Sequence, residues 1–204
     1  KNEIKVSDAV AVLLEELGVK HAFGIIGAGN VHLFESITRR GYTEIVCVHH
    51  EQAATMAMQT YYRTHGRLAA ALLTTGGGSA NGVTGVVSAW ADSVPGLVIA
   101  GNENGKFCTP ENPLRMWGVQ GYDSVQMVER ITKYAVRVTD PTQTLYQLGK
   151  AAHIALDRRP GPVWVEIPMS VQSARLEVSS LENFKPDVTP RLGPSNMVIT
   201  RVVE

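Results

Sequence analysis

Six short apolar runs, each followed by a segment with helical spacing, restrict this chain to few folds. The runs consist mainly of Ala, Val, Ile and Leu and lack the polar–apolar alternation of a half-exposed strand. Continuous apolar strands that alternate with helices are typical of a parallel sheet buried on both faces. We therefore predict an α/β domain with a mostly parallel six-stranded sheet and helices on both faces. The predicted strands lie at residues 22–26, 45–48, 68–74, 96–100, 134–138 and 163–167.

The loops that follow these strands are expected to meet at one edge of the sheet. Right-handed crossovers place the carboxyl ends of parallel strands together, and open α/β sheets bind their ligands there. The segments that this topology collects are 27–30, Glu51, 76–81 and 101–103.

The pattern covers residues 1–172, and the composition changes after it. Residues 173–194 contain Glu, Ser and Pro, which predicts a linker, and residues 197–204 resemble the first turns of a further helix. We expect a domain over 1–172, followed in 173–204 by a linker and the start of a central domain that is cut short. The sequence therefore looks like a piece of a longer polypeptide.

Composition narrows the class of partner. Apolar residues make up 44% of the chain and charged residues 19%, as in ordinary globular proteins. Lys plus Arg and Asp plus Glu each total 19, so no net field favours nucleic acid or an anionic membrane. No apolar run approaches the roughly 18 residues that a bilayer requires. Cys47 and Cys108 lack metal-ligand spacing, and Cys47 is expected to be buried. Two unpaired cysteines indicate a reducing compartment, the cytosol or an organelle matrix, and we predict a cytoplasmic location.

Glu51 is the acidic side chain best placed for chemistry. It stands where the strand at 45–48 gives way to a helix rich in small residues, which begins near Gln52. In dry surroundings the proton affinity of such a carboxylate rises, so it can exchange a proton with a bound heterocycle. A second interpretation stays open, in which Glu51 only complements the dipole at the N-terminus of the helix.

Two glycine-rich turns do not match the dinucleotide-binding fingerprint. The turn at 27–32 lacks the third small residue, and the turn at 76–82 has neither the required spacing nor a Walker lysine. Both turns still allow a flat ligand to approach the backbone, although a purely structural tight turn explains each of them as well.

Few other reactive groups are present. The histidines have no acidic or cysteine companions at metal-ligand spacing, and Ser79 has neither a nucleophile elbow nor an evident base. The predicted site thus has one candidate acid, two flexible glycine turns and few other reactive side chains. Such a site is typical of proteins in which a cofactor performs the chemistry.

Taken in order, several segments resemble the pyrimidine-binding domain of thiamine-diphosphate-dependent enzymes, in particular the acetohydroxyacid synthase group. The resemblance extends to about Gln172, and its specificity comes from the combination and the order of the segments. They are Ala22-Phe23-Gly24-Ile25-Ile26-Gly27, His50-Glu51-Gln52-Ala53-Ala54, residues 74–85, Asp92-Ser93-Val94-Pro95, Arg159-Pro160-Gly161-Pro162-Val163 and Ile167-Pro168.

The resemblance implies roles for individual residues. Glu51 matches the glutamate that hydrogen-bonds N1′ of the aminopyrimidine ring and so promotes loss of the thiazolium C2 proton. Gln120 matches a glutamine that reaches the active centre, which makes Glu51 and Gln120 the implied catalytic residues. The implied cofactor-binding residues are Ile26, Gly27, Glu51, Thr74, Gly77, Gly78 and Asn81, and the implied substrate-side residues are Ala28, Val119 and Gln120.

Three departures from the family pattern concern the substrate side more than the cofactor. Gly77 stands where the synthases usually have proline, and Val119 stands where a phenylalanine commonly precedes the glutamine. The loop at 101–120 is longer than in typical synthases and contains Pro110, Pro113, Arg115 and Trp117.

The family also holds the cofactor diphosphate through Mg²⁺ with a Gly-Asp-Gly motif, which does not occur in residues 1–204. That half of the site is expected on another domain, supplied by a second subunit of a homodimer or homotetramer, so this chain alone should be inactive. FAD in a middle domain is a further option.

The implied activity is decarboxylation of a 2-oxo acid and transfer of the acyl unit to an acceptor carbonyl. The alternatives are a simple decarboxylase, a hydrolase or acyltransferase on the same scaffold, and a non-catalytic scaffolding homologue.

Overall fold

The computed structural model describes residues 2–108 and 111–186, and its central element is a six-stranded sheet in which all neighbouring strands run parallel. The strand order is β3-β2-β4-β5-β7-β6, and β1 and β8 form a separate antiparallel pair. The predicted parallel six-stranded sheet is therefore confirmed, with strand positions close to those expected. The strands are β1 (Glu3–Lys5), β2 (His21–Gly24), β3 (Glu44–Cys47), β4 (Ala70–Leu73), β5 (Gly96–Asn102), β6 (Tyr134–Arg137), β7 (Pro162–Pro168) and β8 (Arg175–Glu177).

Helices cover both faces of this sheet and create two cores. Successive residues of the central strands alternate between the cores, so that Val98 faces one core while Ile99 faces the other. The first core packs against α1, α2 and α7, and the second packs against α3 and α5. The helices are α1 (Val6–Glu16), α2 (Val31–Arg40), α3 (Glu51–His65), α4 (Gly77–Asn81), α5 (Val83–Ala91), α6 (Ser124–Val128), α7 (Thr144–Leu156) and α8 (Met169–Ser173).

The small β1–β8 sheet lies partly within the segment predicted as a linker. Leu176 is the register partner of Ile4, and the backbone N–H of Val6 donates to the carbonyl of Ala174 at 2.9 Å. Further along, the ring of Phe184 packs on Tyr146 and His153 of α7, with centroid distances of 5.7 and 5.5 Å. The domain boundary at 172 stays a prediction. The predicted helical start at 197–204 and Pro110 lie outside the described residues.

One cysteine differs from its expected environment. Cys47 was expected to be a buried apolar residue, but it is exposed, because β3 forms an edge of the sheet and Cys47 is its last residue. Cys108 is instead the buried cysteine, and its thiol contacts the carbonyl of Glu103. No helix in residues 2–108 and 111–186 has the length and hydropathy needed to cross a membrane.

Candidate active site

The carboxyl ends of four parallel strands form the candidate site. A short 3₁₀ turn (Ala28–Asn30) follows β2, α3 follows β3, α4 follows β4, and the long loop to α6 follows β5. The sheet topology therefore places at one edge the segments that the sequence predicted there.

Glu51 is the first residue of α3 and is only 8% exposed. His50 precedes it with an extended backbone, and Nδ1 of His50 accepts a hydrogen bond from the backbone N–H of Gln52. The positive end of the 15-residue helix favours a negative charge at this position. A residue that only complemented the dipole would not need burial, so the low exposure favours the site interpretation.

Two residues of the next glycine turn contact the Glu51 carboxylate. The side-chain amide of Asn81 donates to Oε2 at 3.0 Å. A Cβ at Gly78 would come within 2.9 Å of Oε1 and within 2.5 Å of Cγ2 of Thr74. Such distances are too short for a real side chain, so a glycine here leaves free space beside the carboxylate.

The turn after β2 packs against Thr74. Its own shape is fixed by Asn30, whose Oδ1 accepts from Gly27 N–H at 2.8 Å and whose Nδ2 donates to the carbonyl of Ile25 at 3.0 Å. The backbone N–H of Gly29 donates to Oγ1 of Thr74 at 3.2 Å, and a Cβ at Gly27 would approach Cβ of Thr74 to 2.8 Å. Thr74 thus contacts both glycine turns.

Gln120 reaches the same place from the long loop. Its Nε2 lies 3.4 Å from the carbonyl of Thr75, and its backbone N–H donates to Oε1 of Glu103 at 3.3 Å. Gly76 has φ of 68°, and a Cβ there would lie 2.7 Å from the carbonyl oxygen of Gln120. The structure therefore brings together the predicted residues Gly27, Glu51, Thr74, Gly78, Asn81 and Gln120.

The other four predicted site residues are exposed, as Asn81 and Gln120 are, and they lie at the surface beside these turns. Ile26 is 56% exposed and Val119 is 89% exposed, and Ala28 and Gly77 are exposed as well. A Cβ at Gly77 would meet no atom within 4 Å, in contrast to Gly78. The roles given to these four residues stay predictions.

Several residues that support the site were missed in the sequence analysis. Ser79 donates to the carbonyl of Gly76 and shares a 2.9 Å hydrogen bond with the phenol of Tyr122. Burial raises the pKa of the Tyr122 phenol, and the hydrogen bond with Ser79 offsets part of that rise. Asn30 lies in the predicted 27–30 segment, but its bonds to Gly27 and Ile25 were not anticipated. Gln172 donates to the carbonyl of Gly29 although the two residues are 143 positions apart, so no local sequence pattern could have predicted this contact.

The described segments contain no group of three or more His, Cys, Asp or Glu side chains that could hold a metal ion. The site contains the buried carboxylate of Glu51, the Asn81 amide that donates to it, the backbone of Gly78 beside it and the exposed amide of Gln120. This set suits an uncharged flat heterocycle better than a phosphate, because the described side chains of the site include no Lys or Arg.

Comparison with known proteins agrees with this geometry. The family model "Thiamine pyrophosphate enzyme, N-terminal TPP binding domain" matches residues 4–138. The acetolactate synthase of Arthrospira platensis is 33% identical over 183 residues, which is 87% of this chain and 31% of that protein. The acetolactate synthase large subunit of Corynebacterium glutamicum is 32% identical over 193 residues, which is 89% of this chain and 29% of that protein.

A relative named for a different activity aligns over nearly all of this chain. The glyoxylate carboligase of Escherichia coli O157:H7 is 29% identical over 203 residues, which is 99% of this chain and 33% of that protein. The chain spans about a third of the length of the curated relatives it matches. Because the family model covers more than half of its residues, the chain belongs to the thiamine pyrophosphate enzymes and carries their N-terminal TPP binding domain.

Proposed function

We propose that the full-length protein is a thiamine-diphosphate-dependent carboligase that decarboxylates a 2-oxo acid and transfers the acyl unit to an acceptor carbonyl. Family membership supports use of the cofactor. The relatives named acetolactate synthase and glyoxylate carboligase support the carboligase class.

One observation carries the proposal: a buried carboxylate beside a wall that has no side chain. Glu51 is 8% exposed, and a Cβ at Gly78 would fill the space next to its Oε1. A planar aminopyrimidine needs both features, because its ring must approach the backbone while one ring nitrogen faces a proton-exchanging group. The residues present therefore fit the pyrimidine half of thiamine diphosphate.

When bound, thiamine diphosphate supplies a nucleophilic carbon and an electron sink for decarboxylation. The residues of this chain prepare that chemistry. Glu51 would hold the proton that is exchanged with the pyrimidine ring, and Asn81 fixes the orientation of its carboxylate. Gly27, Thr74 and Gly78 shape the wall of the pocket, and Gln120 would present its amide on the substrate side.

The remaining parts of the active site are proposed to lie outside residues 1–204. These residues contain no Gly-Asp-Gly motif. We propose that Mg²⁺ and the diphosphate are held by another domain, contributed by the second subunit of a homodimer or homotetramer, so that the present domain is inactive alone. A cytoplasmic location belongs to the same proposal, and a middle domain that holds FAD is an option within it.

The role of Glu51 is tested by Glu51→Gln in the full-length enzyme. The amide keeps the shape of the side chain but cannot exchange the proton in the same way, so C2–H exchange of the bound cofactor should slow by about 100-fold or more. Glu44→Gln is the matched control, because Glu44 lies at the opposite end of β3. An unchanged C2–H exchange rate in Glu51→Gln, with cofactor still bound, would remove Glu51 from this role.

The reaction class is tested by analysis of products. Pyruvate or glyoxylate is supplied alone and then together with a second carbonyl compound. A carboligase gives a longer hydroxy-carbonyl product, a hydroxy-ketone from pyruvate or a hydroxy-aldehyde from glyoxylate. A simple decarboxylase gives only the short aldehyde, and a hydrolase or acyltransferase consumes other substrates. A scaffolding homologue gives no product, although the presence of both Glu51 and Gln120 argues against it, since a scaffold needs neither.

A further inference from the structure

Gln120 lies at the tip of a very short hairpin. The backbone N–H of Trp117 donates to the carbonyl of Gly121 at 2.7 Å, and the N–H of Gly121 donates back to Trp117 at 2.8 Å. Gly118 has φ of 61°, which the turn between them requires. Isolated two-stranded hairpins are marginally stable in water, so the two internal hydrogen bonds do not by themselves hold this tip in one place. The bond from the Gln120 N–H to Glu103 is one contact with the rest of the fold, and the side chain of Trp117 makes another.

The hairpin is attached to the sheet through the indole of Trp117. Trp117 is 5% exposed, although Gly118, Val119 and Gln120 are all exposed. The guanidinium carbon of Arg137 lies 4.4 Å from the centroid of the Trp117 ring. A cation over an indole face is the strongest of the cation–π pairs in proteins.

Arg137 is itself held in place by two carboxylates. It is the last residue of β6 and the register partner of Glu166 on β7. Its Nε donates to Glu166, which has no exposed surface and also accepts from Ser124. Its Nη2 lies 2.7 Å from Oδ1 of Asp123. Burial opposes the charge on this guanidinium, but the two carboxylates outweigh it and raise the pKa of Arg137.

We propose that Arg137 and Trp117 are positioning residues for Gln120. The buried Arg137–Glu166 ion pair, which we call the platform, is fixed in the sheet, and the ring of Trp117 packs on it and so holds the hairpin in place. The inference rests on the role of Gln120 in the proposed function. Arginine is better suited than lysine to position 137. Its planar guanidinium can donate to both carboxylates through its edge while its face stacks on the indole, whereas the compact ammonium of lysine has no flat face.

The anchoring part is tested by hydrogen–deuterium exchange on the full-length protein. Trp117→Ala should speed exchange of the amides of residues 117 and 121 by about 3- to 30-fold, the range that loss of a cation–π contact allows. Trp117→Phe, which keeps an aromatic face, should restore most of the protection. Exchange at β4 and β5 reports on the fold and should not change. Wild-type exchange at residues 117 and 121 in Trp117→Ala would overturn the inference.

The functional part is tested by a double-mutant cycle with Gln120→Ala. Trp117→Ala should lower kcat for acyl transfer about 10-fold or more while the cofactor Kd stays unchanged, because the hydrogen bonds of Gln120 go to Thr75 and Glu103, whereas the Glu51 carboxylate is held by Asn81. In the Gln120→Ala background the same change should have no further effect. A loss that multiplies with that of Gln120→Ala would show that Trp117 does not act through Gln120 and would overturn the inference.

Arg137→Met extends the cycle to the platform, and Arg63→Met is its matched control, because Arg63 pairs with Asp92 on the exposed surface. If Arg137→Met does not fold, the Trp117 variants still decide whether the hairpin is positioned through Trp117, since they leave the Arg137–Glu166 pair intact. If Gln120→Ala keeps full activity, the proposed role of Gln120 fails, whereas the exchange experiment still decides whether Trp117 anchors the hairpin.

Discussion

The side-chain amide of Asn81 donates a 3.0 Å hydrogen bond to Oε2 of Glu51, and this contact joins the end of α4 to the beginning of α3. The two residues are 30 positions apart and follow different strands of the sheet. The bond fixes one carboxylate oxygen, so the other oxygen keeps a defined position beside Gly78.

Asn81→Leu keeps the approximate volume of the side chain but removes the donor. A hydrogen bond to a charged group contributes about 1.5–3 kcal/mol, so we expect activity to fall about 10- to 100-fold. The measurement is kcat/KM of the full-length enzyme at saturating cofactor. Asn183→Leu, at an exposed asparagine outside the site, is the control and should retain activity. Equal activities of the two variants would contradict the prediction.

The two adjacent glycines of α4 should respond differently to alanine. Gly78→Ala places a methyl group 2.5 Å from Thr74 and 2.9 Å from the Glu51 carboxylate, so something must move. Overpacking of this kind costs typically 1–3 kcal/mol, and here the methyl group also fills the proposed pocket. We expect weaker cofactor binding by isothermal titration and a lower midpoint of urea unfolding.

Gly77→Ala is the matched control, because its Cβ would meet open space. Gly77 is also the first residue of α4, where alanine is a better helix former than glycine. Stability should therefore stay the same or rise slightly. Cofactor affinity that drops as much in Gly77→Ala as in Gly78→Ala would show that the difference in free space is irrelevant.

Cys108 should contribute to loss of stability at alkaline pH. Burial, followed by the nearby Glu166 carboxylate, raises the pKa of its thiol from 9.0 to about 12. Below pH 9 the folded and unfolded chains both keep the proton, so the group has no effect on the pH dependence. Above pH 9 the unfolded chain loses the proton first, and the free energy of unfolding falls by up to about 1.4 kcal/mol per pH unit.

Replacement of this thiol should therefore flatten the alkaline side of the stability profile. Urea unfolding between pH 8 and 10.5 is compared for the wild type, Cys108→Ala and Cys47→Ala. Cys47 is exposed and serves as the control for loss of a thiol elsewhere in the chain. Only the slope is informative, because Cys108→Ala also creates a cavity that lowers stability at every pH. Parallel profiles for Cys108→Ala and the wild type would contradict the prediction.

The sheet could be predicted from the sequence because its signals are local and repeated. The central strands β4, β5 and β7 bury both faces, so their residues form continuous apolar runs, as in Leu97, Val98 and Ile99. The edge strand β3 shows the limit of that rule. Its run Ile45-Val46-Cys47 is as apolar as the others, yet Val46 and Cys47 are exposed, because position in the sheet is set by topology.

The candidate site was predictable where the chemistry depends on one residue type at a strand end, as for Glu51. Contacts between distant segments left no such signal. The anchoring of Trp117 on Arg137, and the pairing of β1 with β8, depend on partners brought together by the completed fold. The 101–120 loop was recognised as unusual by its length, but neither the ion pair beneath it nor the hairpin within it has a pattern of its own.

Gln172 should stabilise the first glycine turn of the site from beneath. Its side chain has no exposed surface, and its Nε2 donates to the carbonyls of Gly29 and Ile167 at 2.6 and 2.7 Å. A Cβ at Gly101 would collide with the Gly29 carbonyl, so this backbone already lies directly against β5. The amide of Gln172 therefore ties the turn to β7, whereas Gly101 of β5 has no room for a side chain at this point.

Gln172→Leu removes that donor and leaves two buried carbonyl oxygens without it, which costs about 1–3 kcal/mol. Loss of the Gln172 Oε1, which is buried and has no hydrogen-bond partner among the described residues, offsets part of this cost. Gln172→Glu should be worse, because a carboxylate oxygen would face both carbonyls. The free energy of unfolding is measured in urea, with Gln126→Leu, at an exposed position of α6, as the control that stays within about 0.5 kcal/mol of the wild type. Since the same turn contacts Thr74, cofactor affinity should fall together with stability in the Gln172 variants but not in the control. Wild-type stability of Gln172→Leu would mean that the two carbonyls find other donors and that the turn is held by Asn30 and Thr74 alone.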